Sequence, residues 1–177
     1  MPAYLLLLVA ILSRLMPHAG WLNFTAVGGA LLYFGARRSW REMLGPLAAL
    51  MATDYVLTTY VYHYSFRTLD YAPTWIWYVA AMVLGQILLR ARTSWVRFAA
   101  AVVLGPTSFF LISNFAAWLE LAQYPKTLAG LAESYVAGMP FYRNDLLSTT
   151  LVAGLAFGVP VLVRRLSHEP APAVSAR

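Results

Sequence analysis

Apolar runs recur along this chain from Ala3 to Val163, and the breaks between them are short, marked by arginines or aromatic residues and never by a long polar linker. That pattern restricts the medium before it restricts the fold. Only 11% of the 177 residues are charged and 60% are hydrophobic, against roughly 25% charged in a soluble domain. Mean hydropathy is +0.63. A chain of this kind is expected to be an all-α integral membrane protein, because a lipid-exposed backbone must satisfy its own polar groups.

A bilayer core needs about 20 helical residues, with a range of roughly 17 to 25. Six spans are predicted: Ala3 to Met16, Leu22 to Ala36, Leu44 to Val61, Pro73 to Leu89, Phe98 to Leu119 and Leu146 to Val163. The first two are short, which suits helices whose polar ends line a water-accessible cavity. Together they form one six-helix transmembrane domain over residues 1–166, followed by a disordered cytoplasmic tail over 167–177, SHEPAPAVSAR in sequence from Ser167. The opening run resembles a signal-peptide core, but no Lys or Arg precedes it and no small-x-small cleavage site follows, so it reads as a retained helix.

Arginine placement sets the orientation. Nine basic residues (Arg37, Arg38, Arg41, Arg90, Arg92, Arg97, Arg164, Arg165 and Arg177) fall on one side of the six-span arrangement, against four on the other: Arg14, Arg67, Lys126 and Arg143. The positive-inside rule puts both termini in the cytoplasm. The outer connections, PHAGWLN, YHYSFRTLDYAP and the long ELAQYPKTLAGLAESYVAGMPFYRND, are rich in aromatic and hydrogen-bonding residues. Leu128, Leu131, Tyr135 and Val136 in the last recur at helical spacing and predict a short helix against the bundle top, as a lid or as an interfacial anchor. Trp75, Trp77 and Tyr78 read as an aromatic belt in preference to a ligand cage.

Two intramembrane polar residues stand out. LGPLAALMATD and LGPTSFFLISN each end eight residues after the proline, in Asp54 and Asn114, so both sit at similar depth in helices running the same way. Asp54 is the only acid inside a predicted span, and placing it at the centre of an inserting helix costs about 2.5–3.5 kcal/mol. It lines a cavity or bridges helices; Asn114 poses the same choice. Ala26 and Ala30, with Gly28 and Gly29 between them, make a smooth helix face for close packing, internal or against a partner.

Catalytic signatures do not appear: there is no HExxH, nucleophile elbow or phosphate-binding glycine loop, so no enzyme and no cofactor is expected. Zero cysteines exclude thiolate metal sites. His18 and His63 are too isolated for a metal site and read as hydrogen-bonding groups.

Arg-x-x-Pro-His at Arg14 to His18 followed by Asn-Phe-Thr at Asn23 to Thr25, Asn114 with Trp118, Tyr124-Pro125-x-Thr127 and Phe141-x-Arg143-Asn144 resemble an uncharacterised bacterial membrane family described as transport proteins. That family is similar to the substrate-binding S components of energy-coupling factor (ECF) vitamin transporters. The resemblance runs from about Arg14 to Leu162. It implies six helices, an inner-membrane location, an outward-facing pocket for a vitamin or similar micronutrient, and a transmembrane coupling protein with ATPases as partner, docked here through Ala26 and Ala30. A solitary cobalamin-transporting subgroup uses a cysteine that this chain lacks. The pocket is expected to combine Arg14, His18, Asn23, Thr25, Asp54 and Asn114, closed by Trp118, Tyr124, Arg143 and Asn144. A solitary proton-coupled transporter using Asp54, or a structural subunit of a membrane complex, are the alternatives.

Overall fold

The computed structural model describes residues 1–16 and 23–167. Helix α1 covers Pro2–Leu15, α2 Val27–Arg37, α3 Leu44–Val56, α4 Ala72–Leu89, α5 Trp95–Glu120 and α6 Leu128–Ser167. Short 3₁₀ turns at Trp40–Met43 and Thr68–Tyr71 lead into α3 and α4, and a π turn at Leu57–Val61 extends α3. No strand occurs among the described residues.

Three helical stretches, Thr68–Leu89, Trp95–Glu120 and Leu128–Ser167, are long and apolar enough to cross a membrane. α1 is apolar but shorter. Its Leu5, Leu8, Val9 and Leu12 are exposed, as are Leu151, Leu155, Val159 and Leu162 on α6. Apolar side chains in such number on the outside face lipid.

α2 is the exception to that pattern. Every residue from Val27 to Ala36 is buried, and eleven residues rise only about 16 Å, half a bilayer core. It is a central peg wrapped by α1, α4 and α6, not a lipid-facing span. Small residues permit this. A Cβ on Gly35 would lie 1.8 Å from the Met82 carbonyl oxygen, and one on Gly85 would lie 2.1 Å from that of Leu32. The α2 and α4 backbones therefore touch, as small residues allow between membrane helices. Ala26 and Ala30 are likewise buried, and the intervening Gly29 abuts Val152 and Ala153 of α6. The face expected to receive a partner is thus covered by the chain's own helices.

The long outer segment differs from expectation too. The amphipathic stretch at Leu128 and the predicted span from Leu146 are one continuous 40-residue helix, with no separate helix across the top. Pro140 lies inside it; helix neighbours compensate the one bond it removes.

At the opposite end a capping box starts the turn before α3. Ser39 N–H and Oγ donate to Glu42 Oε1 at 3.2 and 3.0 Å, and the Tyr4 hydroxyl donates to Oε2 at 2.6 Å. These bonds, the Tyr4 one foremost, pull the Glu42 carboxyl down from the usual value to about 2. Its folded pKa lies below the unfolded one, so its contribution is full above about pH 4.5 and is lost as the pH falls through about 2. Tyr4→Phe should raise the Glu42 pKa and shrink that acid-sensitive component, read from unfolding midpoints between pH 2 and 5 with Glu42→Gln as the reference lacking it.

Packing at the α2–α4 crossing gives a second expectation. Gly85→Leu should destabilise by about 3 kcal/mol or more, the upper end for overpacking, because it meets backbone. Gly154→Ala, where nothing lies within 4 Å, should be neutral or stabilising by up to about 1 kcal/mol. Thermal stability of the purified variants in detergent checks both.

Candidate functional site

Asp54 is 2% exposed near the end of α3, and three side chains from two other helices converge on it. Arg14, in the last turn of α1, forms a salt bridge and donates from Nη2 to Oδ1. From α4, Trp75 Nε1 donates to Oδ2 at 2.9 Å and the Tyr78 hydroxyl reaches Oδ1 and Oδ2 at 3.3 and 3.4 Å. Trp75 and Tyr78 are three residues apart on one helix face. Placing a carboxylate in an apolar bundle demands such donors, because an unpaired buried charge is far costlier than a paired one. Trp77 and Tyr78 are buried, so this stretch faces inward and is not an aromatic belt.

Three residues after Asp54 the helix widens into the π turn, a feature frequent at functional sites, and Thr58 within it shares a hydrogen bond with Tyr71. Phe66 stacks on Tyr71 with ring centroids 4.9 Å apart and planes 13° apart, and Tyr71 in turn stacks on Trp75 at 6.1 Å. A layer of rings so flanks the Asp54 cluster.

Beside the cluster lies a cavity of about 220 Å³, room for about seven waters at roughly 30 Å³ each. Arg14, Asn23, Thr25, Gly28, Asp54, Tyr71, Thr74, Trp77, Tyr78, Phe109 and Asp145 are among its lining residues. It sits at the bundle end where α1 and α3 finish and α2 and α4 begin, away from Arg37, Arg38 and Arg41.

Asp145 is the residue that sequence reasoning missed. It lies inside α6, is 7% exposed, and accepts from Thr149 Oγ1 at 3.2 Å through Oδ1. Its Oδ2 is buried without a hydrogen-bond partner among the described residues, and so is Arg14 Nη1. Asp54 is therefore not the only acid within a span: merging the amphipathic segment with the sixth span carries Asp145 into the bundle. The i, i+4 spacing of Asp145 and Thr149 was the available signal.

Of the predicted site residues, Arg14, Asn23, Thr25 and Asp54 line the cavity. His18 lies outside the described residues. Asn114 lines a small neighbouring recess of about 20 Å³ that shares Asn23, Phe109 and Asp145. There its amide donates to Phe110 O at 2.8 Å, and a Cβ on Gly138 would lie 2.3 Å from its Oδ1. Asn114 thus seats α6 on α5.

The expected closing group is dispersed. Trp118 Nε1 donates to Pro125 O at 2.8 Å. Lys126 Nζ donates to Leu121 O and Tyr124 O at 3.0 and 3.4 Å, so Trp118, in the last turn of α5, and Tyr124 pack the α5–α6 turn. Arg143 is exposed and Asn144 half-buried on α6; neither lines the cavity. No group of three or more metal-ligating side chains comes together among the described residues.

Membrane-length apolar helices packed around a buried polar cavity make this a helical membrane protein. The chain belongs to DUF6580, a family of unknown function, which it matches over residues 1–172. No curated protein matches it.

The Asp54 cluster yields a stability expectation. Asp54→Asn leaves Arg14, whose side chain is only 17% exposed, without its counter-charge and should cost about 3 kcal/mol, the lower end for breaking a buried pair. The double variant Arg14→Gln/Asp54→Asn should lose less than the sum of the two single changes. Denaturant titration of the four proteins checks the coupling, and additive losses would contradict a direct pair.

Proposed function

We propose that this protein is a substrate-binding membrane subunit for the uptake of a vitamin-like or other small micronutrient, similar to an ECF S component and working with an ATPase-bearing partner. One observation carries the reading: a polar cavity inside a lipid-embedded bundle, with a buried cationic donor atom and a buried acceptor atom that no described residue satisfies. Buried polar atoms are costly to leave unmet, and a solute that meets them gains the difference on binding. Ligand sites typically pair such convergent polar groups with apolar and aromatic walls. Arginine placement supports an inner-membrane orientation with cytoplasmic termini, which would open the cavity end outward.

The cavity is smaller than the roughly 300–1,000 Å³ of drug-sized pockets, which favours a small solute and disfavours a corrinoid. Proton carriage by Asp54 draws little support, since both of its oxygens already accept hydrogen bonds from Arg14, Trp75 and Tyr78. A coupling partner would have to dock away from Ala26 and Ala30, which are buried.

Native mass spectrometry of gently purified protein should find a retained small molecule, absent from Thr74→Phe, whose added ring occupies the cavity. A wild type that never carries a solute, or a Thr74→Phe protein that retains it equally, would contradict the reading. Uptake into liposomes holding this protein alone, at the cellular rate and without ATP, would remove the ATPase partner and leave a solitary transporter.

A further inference from the structure

The charged residues around the cavity specify more than polarity. Among its described lining residues one cation, Arg14, stands against two carboxylates, Asp54 and Asp145. Arg14 is committed to Asp54 through Nη2. Among the described residues Asp145 has only the neutral Thr149 hydroxyl on Oδ1 and no partner on Oδ2. A second carboxylate at this depth, 93% buried by its 7% exposure, with no counter-charge among the described residues, calls for one from elsewhere.

The other walls suit a positive group. Trp77, Tyr78, Tyr71 and Phe109 contribute aromatic surface, and ring faces attract cations within about 6 Å. Trp77 Nε1 already donates to Gly105 O at 3.0 Å and Ser108 Oγ at 3.2 Å, so its ring and not its N–H is what remains for a solute. A bare metal ion would find few ligands, because His, Asp and Glu do not gather in threes among the described residues.

We propose that this cavity takes a small organic cation, whose ammonium- or amidinium-type group pairs with the carboxylate of Asp145 in its wall. This assignment rests on the solute-uptake reading and names the chemical class that the site selects. A cation brings the counter-charge that Asp145 lacks among the described residues, whereas a carboxylate would place a third negative charge beside Asp54 and Asp145. Asp145 is thereby the residue that sets specificity, whereas Asp54 holds the wall.

The test uses the full chain in lipid nanodiscs and three probes of matched size: benzylamine, benzyl alcohol and benzoate. Benzylamine should raise the thermal midpoint in a saturable way, with apparent affinity at least about tenfold above the neutral and anionic probes, as expected for a hydrogen bond to a charged group. Asp145→Asn should lose that preference by a similar factor. The ranking of the probes on the unaltered protein does not depend on how well the variant folds. Benzyl alcohol or benzoate binding as tightly as benzylamine, or an unchanged benzylamine affinity in folded Asp145→Asn, would overturn the charge class while leaving the solute-binding reading intact. A sodium-dependent shift abolished by Asp145→Asn, with no discrimination among the probes, would make the site one for a metal ion and overturn the proposal. If no probe stabilises the protein and native mass spectrometry finds no retained solute, both readings fall together.

Discussion

One buried carboxylate ties three helices together. Asp54 on α3 receives Arg14 from α1 and Trp75 and Tyr78 from α4, in surroundings where the hydrophobic effect does little to distinguish one helix arrangement from another. Between helices in lipid, specificity comes from close packing and from polar groups that have no other partner. An arginine and an aspartate that must find each other fix the rotation of α1 and α3 far more sharply than exchangeable leucines do. The donors from α4 then set its face. Every wall of the cavity near Asp54 follows from that convergence.

The second constraint is the buried peg, α2. With glycines at both sides of its crossing with α4, it brings two backbones into contact and lets a helix too short to span a bilayer fill the middle of the bundle. Its first residues, Val27 and Gly28, form part of the cavity wall. A Cβ on Gly28 would fall 2.1 Å from Thr149 Oγ1, so α2 and α6 meet where Thr149 bonds Asp145. The tight packing of the peg and the placement of the second acid are therefore one structural fact. The cavity lies beside this crowded crossing, and the bonds of Arg14 and Tyr78 to Asp54 hold part of its wall in a fixed frame.

How much of this could be read in advance varies by residue. Helix boundaries followed from hydropathy: the predicted Pro73 to Leu89 and Phe98 to Leu119 differ by a few residues from Ala72–Leu89 and Trp95–Glu120. Depth followed from helical rise, which put Asp54 and Asn114 at a common level, and they line neighbouring recesses. The direction each side chain faces was harder. α4 is apolar on all sides, so nothing in its periodicity told whether Trp75 and Tyr78 point to lipid or inward. Likewise the small residues of α2 announced close packing but not against what.

By itself the sequence determined the medium, the helical class, the approximate bounds of α4 and α5 and the cost of burying Asp54, because hydropathy, residue rise and charge burial are local properties of consecutive residues. Only the tertiary structure decided that α2 is enclosed, that Leu128–Ser167 is one helix, and that Arg14, Asp54 and Asp145 share a cavity from which Trp118, Tyr124 and Arg143 are absent. Those outcomes depend on the relative rotation of helices distant in sequence. That rotation is set by which polar groups pair and which backbones can touch, a property of the packed assembly and of no single segment.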